Sequence, residues 1–208
     1  MKIYFSFLFL IFYTVSYSQI KIPKDFIELT ESPANGKKIE KVVIDFDDDS
    51  INDVVLLVEN EKEFSSYRFL IYLTSLKKQY EINLNNTDFS IYPIELSTVN
   101  NTIQFAYFED GTATSGRFIK IRYNSKRKKI QVIGYDTEYK SLPTERIEKS
   151  YNLLTGKYIV KRTKLGGDSI NKIEEYSGQN DFFKNKVFLE NLNAEMIKKL
   201  DDVGSKYE

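Results

Sequence analysis

The sequence predicts a mainly β protein, arranged as an antiparallel sheet or sandwich with a short C-terminal helix. Short runs of β-branched and aromatic residues recur along the chain, and clusters of Asn, Asp, Gly, Ser and Lys separate them. Several runs are joined by short turns, which favour antiparallel neighbours. Helical spacing of apolar residues is clearest in one segment, near the C terminus.

Residues 1–18 have the pattern of a signal peptide. Lys2 supplies a positive start, residues 3–15 are almost wholly apolar, and residues 16–18 place small side chains where a signal peptidase cleaves. The apolar run is shorter than the roughly 20 residues that a membrane-spanning helix needs. We therefore expect export to the periplasm or the extracellular space, cleavage before Gln19, and no membrane span in the mature chain.

The composition excludes several classes of function. The chain of 208 residues has no His, Cys or Trp, so it cannot form a Ser-His-Asp triad, a cysteine nucleophile, a zinc finger or a disulfide. With 30 basic and 30 acidic residues, it has no net charge that would favour a nucleic-acid partner. Residues 19–208 suit a single β-rich domain, large enough to bury a core without disulfides.

Seven strands are predicted from the apolar and β-branched runs. They cover residues 41–44, 54–58, 67–74, 102–108, 118–123, 130–135 and 157–163.

Two of these predictions are the most specific. The run at 54–58 is apolar at every position, which predicts a central strand covered on both faces. The runs at 118–123 and 130–135 flank a polar segment and predict a hairpin. The basic residues 126–129 would form its solvated tip.

The predicted helix covers residues 193–202. Asn193 is a suitable N-cap, and Met196, Ile197 and Leu200 follow at helical spacing. We expect this helix to pack on a sheet or at its edge.

An acidic segment between the first two predicted strands is the candidate functional site. Asp45, Asp47, Asp49 and Asp53 occupy alternate positions, and Ile51 lies between the last two, where its backbone carbonyl could turn inward. Calcium binds six to eight oxygen ligands at about 2.3–2.6 Å, which four carboxylates, one carbonyl and water could supply. Because neighbouring carboxylates repel one another, a bound cation would stabilise this segment.

Residues 41–58 resemble the calcium loops of FG-GAP and VCBS-type repeats, whose pattern Asp-x-Asp-x-Asp-Gly-x-x-Asp lies between two strands. The four Asp residues match this pattern one by one, and Ser50 stands where the family has Gly. A left-handed conformation at a residue other than Gly costs on the order of 1 kcal/mol. The resemblance implies a calcium loop. Because those families carry several such loops on a propeller, the single loop here favours one β domain instead.

Two hydrolase alternatives are open. Residues 42–48 also resemble the first motif of haloacid dehalogenase phosphatases, which would make Asp45 the nucleophile and Asp47 the acid. That family has alternating strands and helices around a parallel sheet, which the sequence does not indicate. A two-carboxylate glycosidase could use Glu109 or Asp110, but residues 109–112 are typical of a β-turn.

The sequence therefore favours an exported binding or interaction module that calcium stabilises, with a structural rather than a catalytic ion. Its metal ligands would be Asp45, Asp47, Asp49 and Asp53 through their side chains and Ile51 through its carbonyl. The expected partner is a protein or glycan at the cell surface, bound by an aromatic or polar face of the sheet.

Overall fold

The computed structural model describes residues 20–84, 90–110, 115–142, 144–164 and 172–208. The predicted signal peptide, residues 1–18, lies outside these ranges. The described strands form two antiparallel sheets, one short α-helix follows them, and the predicted fold class is confirmed.

The first sheet has five strands, ordered β1-β3-β4-β5, with β2 also paired to β3. Its strands are β1 (Phe26–Glu28), β2 (Val42–Ile44), β3 (Asp53–Asn60), β4 (Tyr67–Leu73) and β5 (Lys78–Asn83). β1 and β2 pair with opposite ends of β3 along one of its edges, and β4 pairs along the other edge. β3 is therefore central, as the sequence predicts.

The second sheet has seven strands that follow one another in chain order, each antiparallel to the next. They are β6 (Ser90–Val99), β7 (Thr102–Asp110), β8 (Ser115–Asn124), β9 (Lys129–Leu142), β10 (Glu145–Asn152), β11 (Lys157–Lys164) and β12 (Lys172–Gln179). β8 and β9 form the predicted hairpin, closed by the pair Asn124 and Lys129.

The inner faces of the two sheets share one hydrophobic core. Phe69 in β4 stacks on Phe105 in β7 with 4.4 Å between ring centroids, and both side chains are buried. Val55 and Leu57 of β3 join this core, while Leu56 and Val58 pack into a second apolar cluster on the opposite face. Both faces of β3 are covered, which explains its unbroken apolar sequence.

The C-terminal segment covers part of the same inner face. Helix α1 (Ala194–Asp201) begins after Asn193, whose Oδ1 accepts a hydrogen bond from Met196 N at 2.9 Å, so the predicted N-cap is confirmed. Leu200 packs into the core, and Asp201 pairs with Arg117 of β8 at 2.7 Å. Among the described residues, no helix has the length and apolarity to cross a bilayer.

Five described strands fall outside the predicted runs: β1, β5, β6, β10 and β12. β5 and β10 alternate between buried and exposed positions and carry charges on the exposed face, so no apolar run marks them. β12 is an exposed edge strand. β6 carries Pro93 beside a register shift, at a sheet edge where the missing N–H is tolerated.

We predict that Phe105→Ala lowers the free energy of unfolding by about 3–5 kcal/mol, because it removes a ring buried between the two sheets. Chemical denaturation of the purified protein measures this change. Phe64→Ala is the control, since Phe64 is 82% exposed and its truncation is expected to change stability by less than about 0.5 kcal/mol. Equal effects of the two variants would contradict the packing described here.

Candidate metal centre

The acidic residues lie in the connection between β2 and β3. Residues 45–52 form this connection, and the antiparallel pair of Ile44 with Asp53 closes it. Phe46 is 1% exposed and packs into the core between the sheets. This buried ring anchors the connection, while its neighbours Asp45 and Asp47 remain partly accessible.

Three carboxylates meet in this loop. Asp45, Asp47 and Asp49 each offer an oxygen, and these oxygens all lie within 4.8 Å of one another. Two ligands of one calcium ion, each at about 2.4 Å, are separated by no more than about 4.8 Å. The group could therefore hold one metal ion.

Hydrogen bonds within the loop fix this arrangement. The Asp45 carboxylate accepts from the backbone N–H groups of Asp49 at 2.9 Å and Ser50 at 2.8 Å. Asp49 Oδ1 accepts from Ile51 N at 2.8 Å. Because the carboxylates bond the loop's own backbone, the loop is curled around its acidic side chains.

Asp53 connects the acidic loop to the neighbouring β4–β5 turn through hydrogen bonds. Its side chain is fully buried; Oδ2 accepts from Phe46 N at 3.0 Å and Oδ1 from Thr74 N at 2.8 Å. The three-carboxylate group does not include Asp53. Each of its oxygens keeps a second lone pair, but its observed contacts join β3 to the β4–β5 turn.

Of the three acids in the group, Asp47 is the one whose charged form is most disfavoured by its surroundings. Burial first, and then the negative charges of Asp53, Asp49 and Asp45, raise its pKa to about 6. Its Oδ1 is buried and has no hydrogen-bond partner among the described residues. An unpaired buried carboxylate oxygen is costly, and a cation would relieve that cost.

The pKa values of the other two perturbed acids move in opposite directions. A hydrogen bond with the Ser75 side chain holds the pKa of Asp49 below its usual value. Burial raises the pKa of Asp53, and the bonds from Thr74 and Phe46 oppose this rise. The charged form of Asp49 is therefore favoured by its surroundings, whereas the charged form of Asp47 is disfavoured.

The loop contains two residues with left-handed backbone conformation, Asp48 at φ 62° and Ser50 at φ 67°. Ser50 occupies the position at which the calcium loops of FG-GAP and VCBS-type repeats have Gly. The backbone thus follows a left-handed path there without the residue type that favours it.

A residue outside the loop also contacts it, and the sequence does not predict this contact. Asn101 Nδ2 donates to Asp48 Oδ1 at 2.9 Å from the β6–β7 turn of the second sheet. Asn100 and Asn101 both have positive φ, as a two-residue hairpin turn of type I′ requires. Asn-Asn is a recognisable turn signal, but its contact with an acid 53 residues away could not be foreseen.

The residues considered for catalysis have other surroundings. Glu109 pairs with Arg117 at 2.5 Å, and both side chains are largely buried. β7 continues through Asp110, so these two residues belong to a strand rather than to the turn expected from sequence. All pairings of the described strands are antiparallel, which differs from the parallel sheet that the phosphatase resemblance implies at Asp45.

Comparison of the chain with protein-family models, curated proteins and solved structures finds no match.

We predict that Asp47→Asn stabilises the metal-free protein at pH 7 relative to wild type. The folded carboxyl has a pKa of about 6, above an unfolded value of about 3.9. Between these values the folded wild type binds more protons than the unfolded chain, so its free energy of unfolding falls as pH rises from about 4 to about 6. The variant lacks this contribution, and its advantage should grow across that interval.

Denaturation of both proteins in EDTA at several pH values measures this advantage. If the variant differs from wild type in stability by the same amount at pH 4 and at pH 7, the fold does not disfavour the charged form of Asp47.

We also predict that Ser50→Gly stabilises the protein by about 0.5–1 kcal/mol. Removing a left-handed residue that carries a Cβ gains about 1–2 kcal/mol, and the greater freedom of Gly in the unfolded chain offsets roughly 0.5–1 kcal/mol. Ser125→Gly is the control, because Ser125 is an exposed turn residue without positive φ. The control should lose stability in the same denaturation experiment, and a loss in both variants would refute strain at Ser50.

Proposed function

We propose that this protein is an exported binding or interaction module stabilised by one calcium ion in the loop of residues 45–53. The ligands are the side chains of Asp45, Asp47 and Asp49, the backbone carbonyl of Ile51, and Asp53, directly or through water. The observation that carries the proposal is the buried, unpartnered Oδ1 of Asp47 within a group of three converging carboxylates. The likeness of the loop to FG-GAP and VCBS calcium loops supports it.

The chemistry of the loop favours calcium among the common metals. The chain has no His or Cys, so only oxygen ligands are available, and these suit calcium and magnesium rather than zinc or copper. Magnesium requires near-ideal octahedral geometry at about 2.0–2.1 Å, whereas calcium accepts irregular shells of six to eight ligands. A curled loop of carboxylates and carbonyls fits the less demanding ion.

A structural role for the ion follows from what meets at the loop. The loop joins β2 to β3, contacts the β4–β5 turn through Thr74, and contacts the β6–β7 turn through Asn101. An ion bound there would connect three hairpin ends drawn from both sheets. Metal binding to the folded state alone adds its binding free energy to folding stability.

The outer face of the seven-stranded sheet suits a binding surface for a protein or glycan. Lys120 and Asp136 form an ion pair across β8 and β9 at 2.8 Å, and Lys161 and Glu148 pair across β11 and β10 at 3.5 Å. A depression of about 310 Å³ lies on this face, and its lining includes Phe118, Asp136, Glu148 and Lys161. A broad polar face with an aromatic residue is typical of surfaces that bind macromolecules or sugars.

The test is thermal unfolding of the purified protein in EDTA, in calcium and in magnesium. At a calcium concentration about 100 times Kd, the gain is about 2.7 kcal/mol, which raises the midpoint by roughly 5–10 °C in a domain of this size. The Asp45→Asn, Asp49→Asn double variant should lose this rise. Asp48→Asn is the matched control, because it lies in the same loop outside the three-carboxylate group, and it should keep most of the rise.

Identical midpoints in EDTA and calcium would refute the ion site. An equal rise in calcium and magnesium would refute the assignment to calcium while leaving a metal site in the loop.

A further inference from the structure

We propose that a basic patch at one end of the seven-stranded sheet binds anionic lipid surfaces. The patch consists of Lys126, Arg127, Lys128 and Lys129 in and beside the β8–β9 turn, and of Lys184 and Lys186 in the loop after β12. This inference does not depend on calcium binding.

The fold brings these two segments together from distant parts of the chain. Arg127 Nη1 donates to the carbonyl of Asn185 at 3.4 Å, and Gln131 Nε2 donates to Asn185 Oδ1 at 3.2 Å. Val132 N also donates to the carbonyl of Val187 at 3.0 Å. The loop after β12 is thus fixed against the β8–β9 hairpin, and its two lysines extend the basic tip.

The positive charge of the patch is largely uncompensated. Only two of its six cations have an acid within 4 Å among the described residues: Lys129 with Glu190 at 4.0 Å, and Lys184 with Asp181 at 3.7 Å. Both are long contacts. The chain as a whole has equal numbers of basic and acidic residues, so these six cations concentrate positive charge in a patch that is complementary to a polyanionic surface.

Aromatic rings rather than carboxylates support several of these cations. Arg127 and Lys129 lie over the ring of Phe188, at 5.3 and 5.7 Å from its centroid. Lys186 lies 5.5 Å from the ring centroid of Phe182. In these contacts the charged ends lie over ring faces, which hold them in place without neutralising their positive charge.

Phe182 distinguishes a lipid surface from other polyanions. Its ring is 69% exposed, and it rests edge to face on the buried ring of Phe183 with 4.8 Å between centroids. An exposed apolar ring beside exposed lysines matches a bilayer interface, where phosphates attract the cations and the ring enters the boundary between headgroups and acyl chains.

The experiment is co-sedimentation of the purified protein with phosphatidylcholine vesicles, with and without phosphatidylglycerol, at low salt in EDTA. EDTA excludes bridging by calcium, so failure of the ion site cannot mask the result. We expect binding to the anionic vesicles alone, and weaker binding as salt is raised.

Two variants of equal net charge separate the patch from overall charge. The patch variant carries Lys126→Gln, Arg127→Gln, Lys128→Gln and Lys186→Gln. The control carries Lys24→Gln, Lys37→Gln, Lys38→Gln and Lys41→Gln, at exposed positions. The patch variant should lose vesicle binding by on the order of a hundredfold or more, and the control should keep it. Phe182→Ser should weaken binding several-fold with all charges intact.

Two results would overturn the proposal: equal losses in the two four-charge variants, or no binding of wild type to anionic vesicles. The second result could be accompanied by retention on dextran sulfate through the patch. That combination would reassign the patch to a soluble polyanion. Denaturation curves for each variant establish that the variants are folded before their binding is compared.

Discussion

The structure depends on the burial of β3 between two apolar layers. Val55 and Leu57 face the core shared with the second sheet, while Leu56 and Val58 face the smaller cluster that contains Phe26. Apolar burial of this kind is the main favourable contribution to folding. Because β3 pairs with β1, β2 and β4, its position sets the register of the whole five-stranded sheet. The position of β3 also determines the position of Asp53, its first residue. The acidic loop ends at this residue.

The acidic loop contains one carboxylate with hydrogen-bond partners for both oxygens, Asp53, and one in an unfavourable electrostatic environment, Asp47. Asp53 is fully buried, yet both of its oxygens accept backbone hydrogen bonds, from Phe46 and from Thr74. Its burial therefore costs less than an unpaired carboxylate would. Asp47 lacks such partners at Oδ1, and its neighbours are acids. The same fold that pairs both oxygens of Asp53 leaves Oδ1 of Asp47 without a partner among the described residues. This contrast, more than the number of acids, is the feature of the loop that a bound cation would explain.

Structural features that depend on a short stretch of sequence could be predicted from the sequence. The apolar run at 54–58, the hairpin around residues 124–129 and the Asn193 cap follow from side-chain periodicity and capping, and the structure confirms them. Asp45, Asp47 and Asp49 lie between two strands, as predicted, whereas Asp53 is already the first residue of β3. β10 and β12 have no apolar runs to mark them in the sequence, because β10 is held by pairing with β9 and β11 and β12 by pairing with β11. The hydrogen bonds that Asp53 accepts, the contact of Asn101 with Asp48 and the approach of Lys186 to the basic tip all depend on pairings distant in sequence, which one chain's composition does not reveal.

The antiparallel topology explains why the two candidate surfaces lie at the same end of the molecule. In a sheet whose strands alternate in direction, every second connection emerges on one side. The β2–β3, β4–β5, β6–β7 and β8–β9 connections share that end. Thr74 and Asn101 donate hydrogen bonds to Asp53 and Asp48 of the acidic segment, and Tyr123 is the second-last residue of β8, beside the basic tip. Burial raises the pKa of Tyr123, with contributions from Tyr80 and Asp47, so its ring is within electrostatic reach of the acids. A cation bound by the loop would cancel negative charge at the same end of the molecule as the basic patch. The positive potential at this end would then be greater with the ion bound than without it.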